Sequence, residues 1–193
     1  MTTLSDVQCY WNQGIANVPW MTGAATLMDC ADIKEHSEKL GFTLPFDTLL
    51  DVGCGSGRLS TSTAFVYLGV DVSVDAVVFC QLKCIPSVLI TGPHDLQHPS
   101  APMDWVTCLS VFTHIDRAER QAYLRVFTGW SPNLLVDIIP GDGSGTIELW
   151  TADWDLFQQD LTDTGWQINA WYDRVGPSGP MHRYAWAIRD RTF

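Results

Sequence analysis

Short apolar segments alternate with segments of helical periodicity along most of this chain. The predicted strands cover residues 48–52, 67–72, 87–91, 104–111 and 133–139. The predicted helices between and after them cover residues 58–65, 74–83, 117–129 and 152–164. This alternation is typical of a parallel sheet whose strands are joined by helical crossovers.

Two further strands are predicted near the end of the chain, at 166–172 and 182–189. The segment between them, 173–181, is too short for a helical crossover, so the two strands must form an antiparallel hairpin. The sequence therefore predicts an α/β fold with a seven-stranded, mostly parallel sheet, an antiparallel last strand and helices on both faces.

The first 45 residues differ from the rest. An irregular segment at 11–20 precedes a helical pattern at 23–40, which Gly41 ends. We expect residues 1–45 to form a helical extension that acts as a lid. Residues 46–193 are expected to form one globular domain, because a chain of 193 residues suffices for a single buried core.

A glycine-rich turn joins the first predicted strand to the next segment, in the string Leu-Leu-Asp-Val-Gly-Cys-Gly-Ser-Gly-Arg at 49–58. Glycines at alternate positions permit positive φ and close approach of a ligand to the backbone. Arg58 occupies the place where a nicotinamide-binding fingerprint has its third glycine, so a dinucleotide is the poorer fit. An acid precedes the glycines, and a second acid, Asp71, ends the next strand pattern.

With these two acids, the string resembles the class I S-adenosylmethionine-dependent methyltransferases. The resemblance implies a Rossmann-like sheet that binds S-adenosylmethionine and releases S-adenosylhomocysteine. It also implies a set of cofactor-binding residues: Asp51, Gly53, Cys54, Gly55, Gly57, Arg58, Asp71, Val72, Asp95, Leu96, Ser110, Val111, Trp11 and Trp20.

Three acids in this set have distinct implied roles. Asp71 is expected to accept the ribose hydroxyls, Asp51 to reach the amino-acid end of the cofactor, and Asp95 to bind the adenine amino group. The simpler alternatives are that Asp71 is a surface turn acid and that Asp51 caps the glycine loop. Trp11 and Trp20 lie in the segment that usually closes over the cofactor in this family.

The segment after the fourth strand, Cys-Leu-Ser-Val-Phe-Thr-His-Ile-Asp-Arg at 108–117, looks like the S-x-x-x-H segment of small-molecule methyltransferases. By that resemblance His114 lies near the reacting methyl group, where a neutral imidazole accepts a proton from the acceptor or orients it. The alternative is a histidine hydrogen-bonded near a helix start, with Asp116 as the cap.

Metal binding is not predicted. The six cysteines lie mostly in strand or helix patterns and form neither a disulfide framework nor a zinc motif, so buried thiols are expected. Asp137 and Asp142 are interpreted as a strand-centre acid and a turn acid.

The net charge of −11 disfavours a nucleic acid partner, because no basic stripe is present to neutralise phosphates. The arginines at 117, 120 and 125 are expected to lie on a solvated helix face. No apolar stretch reaches the roughly 20 residues of a membrane helix, and the first residues lack a secretory signal pattern. We therefore predict no membrane association and a cytoplasmic location.

These observations predict a methyltransferase that acts on an oxygen, nitrogen or carbon atom of a small-molecule acceptor. Two alternatives stay open: a non-catalytic or regulatory subunit that keeps the cofactor site, and an enzyme that uses S-adenosylmethionine for another reaction. The sequence specifies neither the acceptor nor the oligomeric state.

Overall fold

The computed structural model of the protein describes residues 33–60, 64–96, 101–143, 145–146, 149–175 and 181–189. The strands are β1 (Phe46–Val52), β2 (Ala64–Asp71), β3 (Ser87–Leu89), β4 (Trp105–Cys108), β5 (Asn133–Pro140), β6 (Gly145–Thr146), β7 (Leu149–Ala152), β8 (Trp166–Val175) and β9 (Met181–Arg189). The helices are α1 (33–40), α2 (Val74–Leu82), α3 (Arg117–Phe127) and α4 (Trp154–Asp163), with a 3-10 turn at Pro93–Leu96.

Seven strands form the main sheet in the order β3-β2-β1-β4-β5-β9-β8. The five strands from β3 to β5 are parallel, and β9 runs antiparallel between β5 and β8. The predicted α/β fold and its final antiparallel hairpin are therefore confirmed. A small β6–β7 hairpin, which the sequence pattern did not predict, adds to the end of β5 through β7.

Three helices begin at a residue whose side chain accepts a hydrogen bond from a backbone N–H three positions later. Ser73 precedes α2, Asp116 precedes α3 and Asp153 precedes α4. Each of these oxygens satisfies an N–H that the first turn leaves without an intrahelical partner. The alternative prediction that Asp116 caps a helix is confirmed.

The sheet separates two cores, because successive side chains of a strand point to opposite faces. Leu50, Val106 and Leu134 face α3 and α4, whose Leu124 and Leu161 pack in the same cluster. We call this side the α3–α4 face.

The opposite side of the sheet carries α1 and α2, and we call it the α1–α2 face. Its strand residues include Leu49, Tyr67 and Leu135, which cluster with Ile33 of α1 and Cys80 of α2. The predicted placement of helices on both faces is thus confirmed.

The predicted helix at 58–65 is wrong. Residues 55–60 form turns, and residues 64 and 65 already belong to β2. The Ser-Thr-Ser-Thr run at 60–63 disfavours a helix, because hydroxyl side chains compete for backbone hydrogen bonds. In the part of the chain that the structure describes, the glycines are therefore not followed directly by a helix N-terminus.

Three smaller predictions also need correction. Arg120 is buried and donates from Nη1 to the Phe112 carbonyl at 3.2 Å, so it does not lie on a solvated helix face. Cys84 is exposed, whereas Cys54, Cys80 and Cys108 are buried as expected. The fourth strand ends at Cys108, which leaves residues 109–114 as a loop.

Trp11 and Trp20 lie outside the described residues, as does most of the predicted extension at 1–45.

Among the helices that the structure describes, none has both the length and the apolar character needed to cross a membrane.

Candidate active site

The glycine loop lies at the carboxyl ends of β1 and β2, where ligands bind in open parallel sheets. Gly53, Gly55 and Gly57 have φ angles of +72°, +52° and +72°, a region that favours glycine. At Gly53 a side chain is also excluded by packing, since a Cβ atom there would lie 2.1 Å from Cγ2 of Val111. The predicted glycine positions are thus required by the backbone path of this loop.

Asp71, at the end of β2, holds the loop in place. Its Oδ2 accepts from the Gly55 N–H at 2.8 Å, and its Oδ1 accepts from the Ser73 N–H at 2.8 Å. Burial raises the pKa of Asp71, and the backbone hydrogen bonds from Ser73 and Gly55 partly oppose that shift. Asp71 is therefore a buried acid and not a surface turn acid.

Asp51, at the end of β1, is buried between two hydroxyl groups. Tyr67 donates from its hydroxyl to Oδ2 at 2.8 Å, and Thr107 donates to Oδ1 at 2.8 Å. Burial raises the pKa of Asp51 from 3.8 to about 6, although the hydrogen bonds from Thr107 and Tyr67 and the charge of Arg58 act in the opposite direction. Asp51 is consequently an acid whose charge changes near neutral pH.

A cavity of about 90 Å³ joins the glycine loop to three other elements. Asp51, Gly53 and Arg58 line one side, and Ser110 lines another. The remaining wall includes His36 of α1 and Tyr184 of β9. The structure thus brings Asp51, Gly53, Cys54, Arg58 and Ser110, all predicted site residues, around one cavity.

Helix α1 is attached to this wall by side-chain contacts. His36 Nδ1 lies 2.6 Å from the Tyr172 hydroxyl on β8, and the His36 ring packs on the Tyr184 ring with a centroid separation of 4.2 Å. An ion pair between Glu35 and Arg174, at 3.4 Å, adds a second connection to β8. Only the end of the predicted extension is described, and that end lies over the strand ends.

The loop after β4, residues 109–114, carries Ser110 and His114. Ser110 has φ +60°, a conformation that costs a residue with a side chain about 1–2 kcal/mol. Its N–H donates to Oδ1 of Asp137 at 2.5 Å. His114 is half-buried in the same loop, and its N–H donates to the Val111 carbonyl at 2.9 Å.

The predicted adenine-end residues follow β3. Asp95 is exposed, and its Oδ2 accepts from the N–H and the hydroxyl of Thr91 at 2.6 and 2.8 Å. The Thr91 backbone hydrogen bond lowers the pKa of Asp95. Leu96 is buried in the core and its carbonyl accepts from Trp130 Nε1 at 2.6 Å, while Val72 packs against the same core.

The family model for a methyltransferase domain matches residues 49–130. That range contains the glycine loop, both buried acids and the loop after β4. The match identifies a methyltransferase domain over these residues, in agreement with the resemblance to the class I S-adenosylmethionine-dependent methyltransferases. Members of this family use S-adenosylmethionine, and both the predicted family and the predicted enzyme class are confirmed.

Solved methyltransferase structures share the fold of this chain at low sequence identity. Magnesium protoporphyrin IX methyltransferase from Synechocystis PCC 6803, with bound S-adenosylhomocysteine, is 19% identical with a TM-score of 0.77, covering 97% of this chain and 100% of that chain. An S-adenosylmethionine-dependent methyltransferase from Clostridium acetobutylicum ATCC 824 is 14% identical with a TM-score of 0.63, covering 94% and 97%.

The fold is not confined to proteins named as methyltransferases. The cyclase SpnF is 14% identical with a TM-score of 0.62, covering 83% of this chain and 81% of that chain. None of the curated proteins matches the sequence significantly.

Several residues that contact the predicted site residues or the cavity were not identified from the sequence. Thr107 lies opposite Asp51 in the β1–β4 register, so its position follows once the strands are aligned. Tyr67 shares the face of β2 that Asp51 uses on β1. No local sequence pattern indicates a role for His36, Asp137 or His182. Their hydrogen-bonding partners lie 136, 27 and 45 residues away in the sequence.

Proposed function

We propose that this methyltransferase transfers a methyl group from S-adenosylmethionine to a small-molecule acceptor. The observation that carries the proposal is the left-handed glycine loop, clamped by the Asp71 carboxylate at the carboxyl end of the sheet. A loop held in this way keeps backbone groups and a buried acid turned toward one ligand.

The donor and acceptor set fits S-adenosylmethionine. Asp71 would hold the ribose hydroxyls with the acceptor positions that its backbone bonds leave available. Asp51, held by Tyr67 and Thr107, would receive the ammonium of the methionine part, and Arg58 would offset the negative charge of both acids. Gly53, Cys54, Gly55 and Gly57 would form the backbone wall.

The other predicted residues complete the cofactor site in this proposal. Asp95 would bind the adenine amino group, with Leu96 and Val72 as packing neighbours of the ring and ribose. Ser110 and Val111 would border the reacting end. Trp11 and Trp20 belong to the extension that we propose closes over the cofactor.

The cofactor supplies a methyl group activated on a sulfonium sulfur, which needs little chemical assistance. The protein therefore contributes mainly by holding the acceptor, aligning it and excluding water. His114 would orient the attacking atom or accept its proton. A small-molecule acceptor is supported by the net charge of −11, which opposes nucleic acid binding.

Calorimetric titration with S-adenosylhomocysteine, S-adenosylmethionine and NAD tests the proposal. We expect micromolar binding of the first two and none of NAD. Asp71→Asn should weaken S-adenosylhomocysteine binding by about tenfold or more, since a tenfold change corresponds to the loss of about 1.4 kcal/mol from a charged hydrogen-bonding site. Asp75→Asn, at an exposed acid in α2, is the matched control and should bind normally.

The outcomes separate the alternatives. Binding followed by methyl transfer in a screen of small-molecule acceptors supports the proposal. Binding without turnover of any acceptor would favour a non-catalytic subunit, and product formation without methylation would favour another use of the cofactor. If neither cofactor form binds, the proposed function is wrong.

A further inference from the structure

Asp137 and His182 form a buried polar pair that methyl transfer itself does not require. Asp137 lies on β5 with no solvent exposure, and its Oδ2 is 2.7 Å from Nδ1 of His182 on β9. The other carboxylate oxygen accepts from the Ser110 N–H at 2.5 Å. Both carboxylate oxygens of Asp137 therefore have a hydrogen-bonding partner, one on β9 and one in the loop after β4.

The surroundings of the pair show that packing does not explain it. Leu135 and Tyr184, which lie on the same face of β5 and β9, are buried and belong to the α1–α2 cluster. A buried carboxylate and imidazole are costly to desolvate, and an apolar pair of similar volume often gives equal or greater stability. A role other than packing is the better explanation.

The second partner of Asp137 indicates that role. Ser110 adopts φ +60°, which an L-residue disfavours, and a charged acceptor on its N–H stabilises that conformation. Ser110 lines the cavity, and the adjoining Val111 contacts the position of Gly53. The conformation of Ser110 thus determines how residues 109–114 approach the glycine loop.

We propose that Asp137 and His182 are positioning residues for the loop at 109–114. His182 fixes the carboxylate of Asp137, and Asp137 holds the Ser110 N–H, which sets the direction of the segment that leads to His114. Neither residue contacts a reacting atom in this proposal. It rests on the proposed methyl transfer, because positioning matters for function only if the acceptor binds beside this loop.

The test compares His182→Asn with His182→Phe in the full-length protein. The amide nitrogen of asparagine takes the place of Nδ1 and can donate to Asp137, whereas phenylalanine keeps ring volume but offers no donor. Hydrogen exchange of the amides at 109–114 reports on the loop without any ligand. S-adenosylhomocysteine affinity and the kcat and KM for an acceptor found by screening are then measured on the same variants.

We expect about tenfold faster exchange at Ser110 in His182→Phe, because the loop opens more often. Exchange in β1 should stay unchanged. The same variant should lose about tenfold in kcat while KM and S-adenosylhomocysteine affinity change less than about twofold, since an interaction that acts on alignment affects kcat. His182→Asn should restore both loop protection and kcat to within about twofold of the unmodified protein.

Arg183→Gln is the control for a general loss of β9 stability. Arg183 follows His182 and forms two 2.7 Å bonds with Asp173 on β8, away from the loop. Its replacement should leave loop exchange and kcat unchanged.

Two results would overturn the proposal. Unchanged loop exchange in His182→Phe would show that the pair does not hold Ser110. Loss of kcat in His182→Asn with normal loop protection would show that the imidazole acts in some other way. Failure of the proposed function gives a different result: S-adenosylhomocysteine does not bind the unmodified protein, while the loop still responds to His182→Phe as proposed.

Discussion

The two faces of the sheet use the same strands for different purposes. On the α3–α4 face, alternate residues of β1, β4, β5 and β9 are apolar, as in Leu50, Val106, Leu134 and Ala185. On the α1–α2 face, several positions in the middle or at the ends of the strands are instead polar. They are Asp51, Tyr67, Asp71, Thr107, Asp137 and His182, all buried or nearly so.

This difference shows how one sheet supports both stability and chemistry. Apolar burial on the α3–α4 face contributes folding free energy without any directional requirement. The polar groups of the α1–α2 face contribute little net stability, yet each is fixed by hydrogen-bonding partners on neighbouring strands or loops. Changes on the first face should therefore alter unfolding alone, and changes on the second should alter ligand binding and pH dependence.

The largest effect is expected from Phe127→Ala on the α3–α4 face. Phe127 is fully buried in α3, and the cavity left by its removal should cost about 3–5 kcal/mol in the free energy of unfolding. Urea denaturation measures this cost. S-adenosylhomocysteine affinity should remain unchanged at a temperature where the variant is folded. Phe65→Ala is the control, because Phe65 is 77% exposed and its loss should change stability little. A large loss of affinity in folded Phe127→Ala would contradict the comparison.

A smaller effect, dependent on pH, is expected from Asp51→Asn on the α1–α2 face. The folded-state pKa of about 6 exceeds the ordinary value of 3.8, so between these pH values Asp51 keeps its proton in the folded protein and releases it on unfolding. The free energy of unfolding therefore falls as the pH rises from 4 to 6. At pH 7 this difference in pKa lowers the free energy of unfolding by about 3 kcal/mol. Asparagine stays neutral, so Asp51→Asn should exceed the unmodified protein in stability at pH 7.

The stability advantage of Asp51→Asn should shrink to a small fraction of its pH 7 value near pH 4, where Asp51 is protonated in the folded protein and only about half ionised when unfolded. Denaturation midpoints measured from pH 4 to 7.5 give this profile. Asp47→Asn, at an exposed acid on the same strand, should not share it. A stability difference that is constant over this pH range would rule out the buried acid as its source.

The smallest effect is expected from Tyr172→Phe, which removes the 2.6 Å contact with His36. Loss of one hydrogen bond costs about 1 kcal/mol, and here it should weaken the packing of α1 against β8 by that amount. Hydrogen exchange should accelerate in α1 and stay constant in α3. Trp171→Tyr is the control, since Trp171 contacts Trp154 instead of α1. Equal acceleration in both helices would show that the contact supports the whole fold.

Much of the fold could be predicted from the sequence, because it follows from local periodicity and connection lengths. Apolar runs located the seven main strands, and the short 173–181 segment required the antiparallel hairpin. The helix predicted at 58–65 is wrong, although a glycine motif of this kind often leads into a helix, because residues 55–60 form turns and β2 begins at Ala64. The β6–β7 hairpin was missed because its strands have only two and four residues.

The site was predictable only where a motif marks it. The glycines and the two acids were identified from their spacing and from family resemblance, and family, fold and enzyme class are confirmed. The roles assigned to individual residues, including His114, stay predictions. Asp137 and His182 were not paired because β5 and β9 meet only in the folded sheet, and a lone strand-centre acid does not identify its partner.

The close approach of Val111 to Gly53 has a consequence for how this sequence can diverge. A β-carbon at position 53 would lie 2.1 Å from a methyl group of Val111, so position 53 can acquire a side chain only if the Val111 side chain moves or becomes smaller and the loop backbone leaves φ +72°. No single replacement satisfies both conditions. Descendants of this gene are thus expected to retain glycine at this position even where they come to act on different acceptors.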